Sequence, residues 1–145
     1  MGPTSLIDPI RWFVFGVAVA VLAGCGSHAR VKTMPVQGKV VFEKGGSVKK
    51  LADAEAAVVF ESVDPPGFRG TAAVEEDGRL GNLICTSAKQ EQPAAGLAEG
   101  TYRVKLELAE QHRGLVDSRF LSFEKSGITV KVPPPEGEIV ITVWR

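Results

Sequence analysis

"GTYRVKLEL", Gly100 to Leu108, is the stretch whose reading decides the fold. Tyr102, Val104, Leu106 and Leu108 take every second position, and Arg103, Lys105 and Glu107 fill the gaps. A period of two sends the two sets to opposite faces of a pleated strand, so a half-buried strand is expected with the apolar set inward. Gly100 supplies the backbone freedom for a tight entry into it. The Tyr102 ring is expected to pack inward, with its hydroxyl finding a partner at the edge of the sheet.

The same period recurs in both directions. Toward the C-terminus, a polar loop at Ala109–Arg119 precedes "RFLSFEKSGITVKV", an edge-like segment followed by a strand carrying Ile128, Val130 and Val132. "PPPEG" forbids strand and helix alike. "EIVITVW" closes the chain with Ile139, Ile141 and Val143 on one face. Toward the N-terminus, Ser87–Glu99 reads as a loop. "TAAVEEDGRLGNLICT" reads as two short strands around Asp77-Gly78, a hairpin cue because both residues tolerate positive φ. "DPPG", Asp64 to Gly67, breaks the preceding run. "AEAAVVFESV" is apolar enough for burial on both faces. "KGGSVKK" is a turn, and "PVQGKVVFE" alternates Val36, Val40 and Phe42 against Gln37, Lys39 and Glu43. Gly38 interrupts that apolar face, which permits a bulge or the close approach of another strand. The sum is about seven strands with frequent turn cues. No helix is expected after residue 24. Strands with one apolar face bury it by stacking as two sheets, so residues 35–145 are expected to form an all-β, seven-stranded β-sandwich, transthyretin-like or immunoglobulin-like.

"VQGKVVFE", "DAEAAVVFE", "EDGRLGNL", "GLAEGTYRVKLEL" and "SGITVKVPPPEGEIVITV" occur in an order that resembles the carboxypeptidase regulatory-like, or transthyretin-like, domains of small exported planctomycete lipoproteins. The chain departs from that pattern at Glu75-Glu76 and Leu80, and in having "KGGSVKKLADA" after the first strand. The resemblance implies a β-sandwich and carries no catalytic residue over. A ureide hydrolase shares the fold type and ends Tyr-Arg-Gly-Ser, whereas this chain ends Thr-Val-Trp-Arg.

The first 24 residues have a different character. Arg11, diluted by Asp8, precedes "WFVFGVAVAVL", Trp12 to Leu22, which holds no charge. As a helix it would span about 16 Å, short of a bilayer core of about 30 Å. Followed by small residues and a polar stretch, it reads as the apolar core of a signal peptide. Leu22-Ala23-Gly24-Cys25 matches the bacterial lipobox. The resemblance implies recognition of Leu22, Ala23 and Gly24 by a signal peptidase, cleavage before Cys25, transfer of a diacylglycerol to the Cys25 thiol and frequent acylation of the new amino group, with palmitate-type chains. Several chains at about 0.8 kcal/mol per buried CH₂ anchor a protein firmly where one would be marginal. Cleavage by a general signal peptidase to release a soluble exported protein, an uncleaved N-terminal anchor and a cytosolic core helix are the alternatives. Gly26 stands where an Asp would signal inner-membrane retention in enterobacteria, so the outer membrane is favoured over the inner. The chain thus divides into a signal peptide (1–24), a lipidated cysteine with a polar tether (25–34) and a sandwich domain (35–145).

Composition bounds the function. Lys plus Arg and Asp plus Glu stand at 17 each, giving no net charge. A nucleic-acid binder needs a basic excess to neutralise phosphates, and a polybasic membrane patch needs one too. Two cysteines form no disulfide framework. With Cys25 lipidated, Cys85 in "NLICT" is expected to be a buried, inert thiol. His28 and His112 are the only histidines, and no His or Cys pair stands at metal-ligand spacing, so neither metal nor cofactor is expected. His112 near Asp117 and Ser118 would require an unusual local triad, and no Gly-x-Ser-x-Gly elbow exists. Glu75, Glu76 and Asp77 read as a solvated hairpin tip, and Lys49-Lys50 as exposed charge. The expectation is a membrane-anchored lipoprotein with a non-enzymatic envelope structural or interaction module. The alternative is a surface-displayed module for carbohydrate or peptide. The loops Asp64–Gly70, Ser87–Glu99 and Ala109–Arg119 are the places for a binding surface.

Overall fold

The computed structural model describes residues 31–90 and 92–145. Strands hold 47% of the structure and helices 18%, so the all-β class stands. The order is β1 (Thr33–Met34), β2 (Gly38–Lys44), α1 (Val48–Asp53), β3 (Ala57–Asp64), β4 (Pro66–Ala73), β5 (Ile84–Ser87), β6 (Ala94–Ala95), β7 (Leu97–Ala98) and β8 (Gly100–Glu107). Two 3-10 turns come next, at Glu110–Leu115 and Ser118–Leu121. Then come α2 (Phe123–Ser126), β9 (Thr129–Val132) and β10 (Ile139–Trp144).

β8 behaves as its alternation requires. Tyr102, Val104 and Leu106 are buried, and Arg103 and Lys105 stand on the other face. It lies in a six-stranded antiparallel sheet of order β6-β5-β4-β3-β8-β9. β3 is flanked by β4 and β8, and its consecutive Val58, Val59 and Phe60 are all fully buried. Burial on both faces is what its unbroken apolar run requires. A second sheet pairs β2 with β10 in parallel, and β1 pairs with β7. One apolar cluster joins Val58, Phe60, Tyr102, Val104 and Leu106 of the large sheet to Val40, Ile139, Ile141 and Val143 of the parallel pair.

The Asp77-Gly78 turn links the sheets. Val40 N–H donates to Gly78 O at 2.8 Å, and Leu80 N–H donates to Gly38 O at 2.8 Å. Gly38 serves the close approach anticipated for it, because a Cβ there would lie 2.7 Å from Leu80 Cδ1. Tyr102 Oη donates to Ala98 O at 2.8 Å inside the core. Its ring meets Phe60 edge-on, with centroids 6.5 Å apart.

Several expectations require correction. Asp64–Gly67 does not end the strand pattern: it is the tight turn between β3 and β4, and β4 begins at Pro66. Asp77-Gly78 closes the expected turn, with Val74 bridged to Leu80, Glu75 N–H donating to Arg79 O and Gly81 N–H donating to Ala73 O, but the flanking residues form single bridges and not two strands. β4 and β5 pair as far as Thr71 and Ile84, and the residues between them reach out to β2. The body also contains helix where none was expected. α1 replaces the second half of the "KGGSVKK" turn, anchored by the fully buried Leu51. The Ala109–Arg119 loop and the segment after it hold the 3-10 turns and α2. These pieces run four to six residues, too short for a 3.6-residue period to show in sequence. Thr33 and Met34 of the expected tether form β1.

Candidate functional site

Leu22, Ala23, Gly24 and Cys25 lie outside the described residues, as does His28. The described structure begins a few residues C-terminal to them, where β1 holds the start of the body through Thr33↔Ala98 and Met34↔Leu97. Gly96 makes this possible: its φ is +86°, and a Cβ would lie 2.0 Å from Met34 O. Only glycine allows both that conformation and that approach.

Beside β1 is a cleft of about 570 Å³, lined by Pro35, Val36, Gly81–Ile84 and Pro93–Gly96. Its walls come from three separate stretches. Pro35 and Val36 join β1 to β2, Gly81–Ile84 leads into β5, and Pro93–Gly96 contains β6. Leu83 is buried, while Asn82 and Ile84 are exposed. Ile84 alternates with the fully buried Cys85, so it faces away from the core at 45% exposure. Asn82 carries the one polar side chain of the lining, and no lining residue is charged. Part of this site falls in the Ser87–Glu99 loop singled out from the sequence. Pro35, Val36 and Gly81–Ile84 were not foreseen, because only pairing between distant strands brings them together.

The other two candidate loops are built otherwise. Asp64–Gly70 is mostly strand, and Ser62 Oγ accepts from Phe68 N–H at 2.8 Å. In Ala109–Arg119, the Asp117 carboxylate accepts from Arg119 N–H at 2.9 Å and pairs with the Arg119 guanidinium at 3.4 Å. His112 lies in the 3-10 turn ahead of it. Asp117 is thereby used as a turn cap and ion pair, not as a histidine's partner.

Reactive groups elsewhere are structural. Cys85 is fully buried and unpaired, and burial raises its pKa, which keeps it a thiol. Glu75, Glu76 and Asp77 hold a turn: Glu75 O accepts from Gly78 N–H, and Asp77 Oδ1 accepts from Arg79 N–H at 3.0 Å. Lys49 bridges Asp53 at 3.0 Å and Glu76 at 3.9 Å. Among the described residues, no group of three or more His, Cys, Asp or Glu side chains could hold a metal, and no helix is long and apolar enough to cross a membrane.

A second cluster escaped sequence reasoning. On the outer face of the large sheet, Arg69, Arg103 and Lys105 approach the Phe123 ring to 6.0, 5.5 and 5.1 Å from its centroid. Glu61, Glu107 and Glu124 pair with the two arginines, so the patch is balanced in charge. Register places the fully buried Val59 between Thr71 and Lys105. The cluster thus gathers three cations around one aromatic ring, with carboxylates paired to the two arginines.

No family model matches the chain, and neither a curated protein nor a solved structure matches it.

Proposed function

We propose that this chain is an exported lipoprotein, anchored to the bacterial envelope through lipid on Cys25, whose β body is a non-enzymatic structural or interaction module. The observation that carries the reading is the order of segments: an uncharged run from Trp12 to Leu22, then Leu22-Ala23-Gly24-Cys25, then a polar stretch, then strands. Leu22, Ala23 and Gly24 are the proposed peptidase recognition residues. The membrane is the proposed partner, with the outer membrane favoured by Gly26. The body is proposed to be a transthyretin-like sandwich, a reading supported by two sheets sharing one apolar core. The non-enzymatic part draws support from how potential catalytic groups are used: Cys85 is buried, and Asp117 is engaged with Arg119. The alternative of a carbohydrate or peptide module gains nothing from the cleft, whose lining offers no aromatic ring and one polar side chain.

Intact-mass measurement of the membrane fraction tests the reading. The expected species begins at Cys25 and carries added acyl mass, and Cys25→Ala loses both the acyl mass and the membrane association. A wild-type protein recovered soluble and unmodified would overturn the anchoring.

A further inference from the structure

The place where the tether meets the body sets which edge of the sheet lies nearest the anchor. Thr33 lies eight positions after Cys25, a reach of at most about 28 Å when fully extended. β1 is held against β7, and the cleft beside it includes β6, which forms one edge of the large sheet. β9 forms the opposite edge, five strand spacings or about 24 Å away. The two edges differ in chemistry. At the β6 edge, Pro35, Asn82, Ile84, Pro93 and Ala95 are exposed and uncharged, although 23% of the chain is charged. At the β9 edge, Lys131 is exposed.

We propose that the β6 edge and its cleft rest on the lipid bilayer, with the β9 edge held away from it. This rests on the lipid anchoring of Cys25. The tether brings that edge within reach of the membrane surface. The uncharged cleft lining then enters the interfacial region without the desolvation cost charged side chains would meet, while the exposed Lys32 ahead of β1 can stay at the polar surface. The exposed Ile84 side chain and the prolines supply apolar area, with which interfacial binding scales. The absence of charge in the lining makes the contact one with the apolar boundary of the lipid and not with an anionic headgroup.

The test uses the lipidated chain reconstituted in phosphatidylcholine vesicles. A fluorophore is placed through Asn82→Cys at the cleft rim or Lys131→Cys at the β9 edge, the buried Cys85 remaining unlabelled. A lipid-borne nitroxide quencher is expected to quench the label at position 82 at least twofold more than the label at 131. Adding Ile84→Glu is expected to lower the quenching at 82 while the protein still floats with the vesicles. Equal quenching at both positions in protein that floats would overturn the orientation and leave the anchoring intact. Energy transfer between labels at position 82 on separate copies, with that equal quenching, would assign the cleft to a second copy and likewise overturn it. Protein that fails to float would overturn the anchoring itself.

Discussion

Tyr102 shows how much one side chain can hold. Its ring is fully buried, and its hydroxyl donates to Ala98 O at the joint between β7 and β8. Burial is the main cause that pushes its pKa from 10.0 up to about 12. A folded-state pKa above the unfolded value means the folded form holds the proton more tightly. The Tyr102 contribution to stability is therefore constant below pH 10, falls as pH rises from about 10 to about 12, and levels off beyond. The loss expected across that window is roughly 2–3 kcal/mol, and denaturant unfolding at stepped pH reads it. Tyr102→Phe removes that share of the decline, and the buried Cys85 thiol keeps its own. The substitution also costs about 1–3 kcal/mol at neutral pH by leaving a buried carbonyl without its donor. Cys85 is the complementary case, a thiol kept protonated by burial. Both residues were legible in sequence because an apolar strand pattern fixes which side chains point inward. The carbonyl that accepts the Tyr102 hydrogen bond was not, because Ala98 lies on another short strand.

At the scale of elements, the short pieces are where sequence reading fell short. α1 is six residues long and closes with Ala56 N–H donating to Leu51 O and Glu55 N–H donating to Ala52 O. Glu55 sits at φ +54°, the conformation that favours glycine at this position. Glu55→Gly is expected to raise stability by roughly 0.5–1 kcal/mol, measured by urea unfolding. The β1–β7 pair has the opposite sensitivity. Gly96→Ala puts a Cβ against Met34 O at positive φ and should cost more than about 1 kcal/mol. Limited proteolysis is then expected to cut ahead of Pro35 faster than in the wild type. The helix and both tiny strands escaped prediction for one reason: two to six residues carry too few positions for a period to emerge, and tertiary contacts supply their stability.

For the whole molecule, the relevant fact is that one apolar cluster spans both sheets. β10 supplies Ile139, Ile141 and Val143 to it from the parallel pair, and β5 supplies Cys85 from the large sheet. Ile141 is fully buried, and Ile141→Ala is expected to cost about 2–5 kcal/mol. In a Cys25→Ala background, the urea midpoint from circular dichroism should coincide with the midpoint for chemical labelling of Cys85, in both the parent and Ile141→Ala. Separate midpoints would mean that the sheets unfold independently. The ion pairs are of another order. Lys39 with Glu138 at 3.4 Å and Arg103 with Glu61 at 3.3 Å are each more than a third exposed, and such pairs contribute at most about 1 kcal/mol each.

The sequence by itself determined the strand character of the body and the inward sets on β8 and β10. It also contains, in one contiguous run, every residue of the proposed address at Leu22 to Cys25. Strand alternation is a local property, and a processing signal is read linearly, so neither needs the fold. Only the tertiary structure decided that β2 lies beside β10, that Asp77-Gly78 joins two sheets, and that Thr33-Met34 is held against Leu97-Ala98. It alone assembled the cleft from three separated stretches and the Phe123 cluster from β4, β8 and α2. The physical reason is that pairing partners are chosen by how distant apolar faces fill one shared core. Many strand orders satisfy the same alternation, and the contacts that separate them, such as the space Gly96 leaves for the Met34 carbonyl, exist only between residues far apart in the chain.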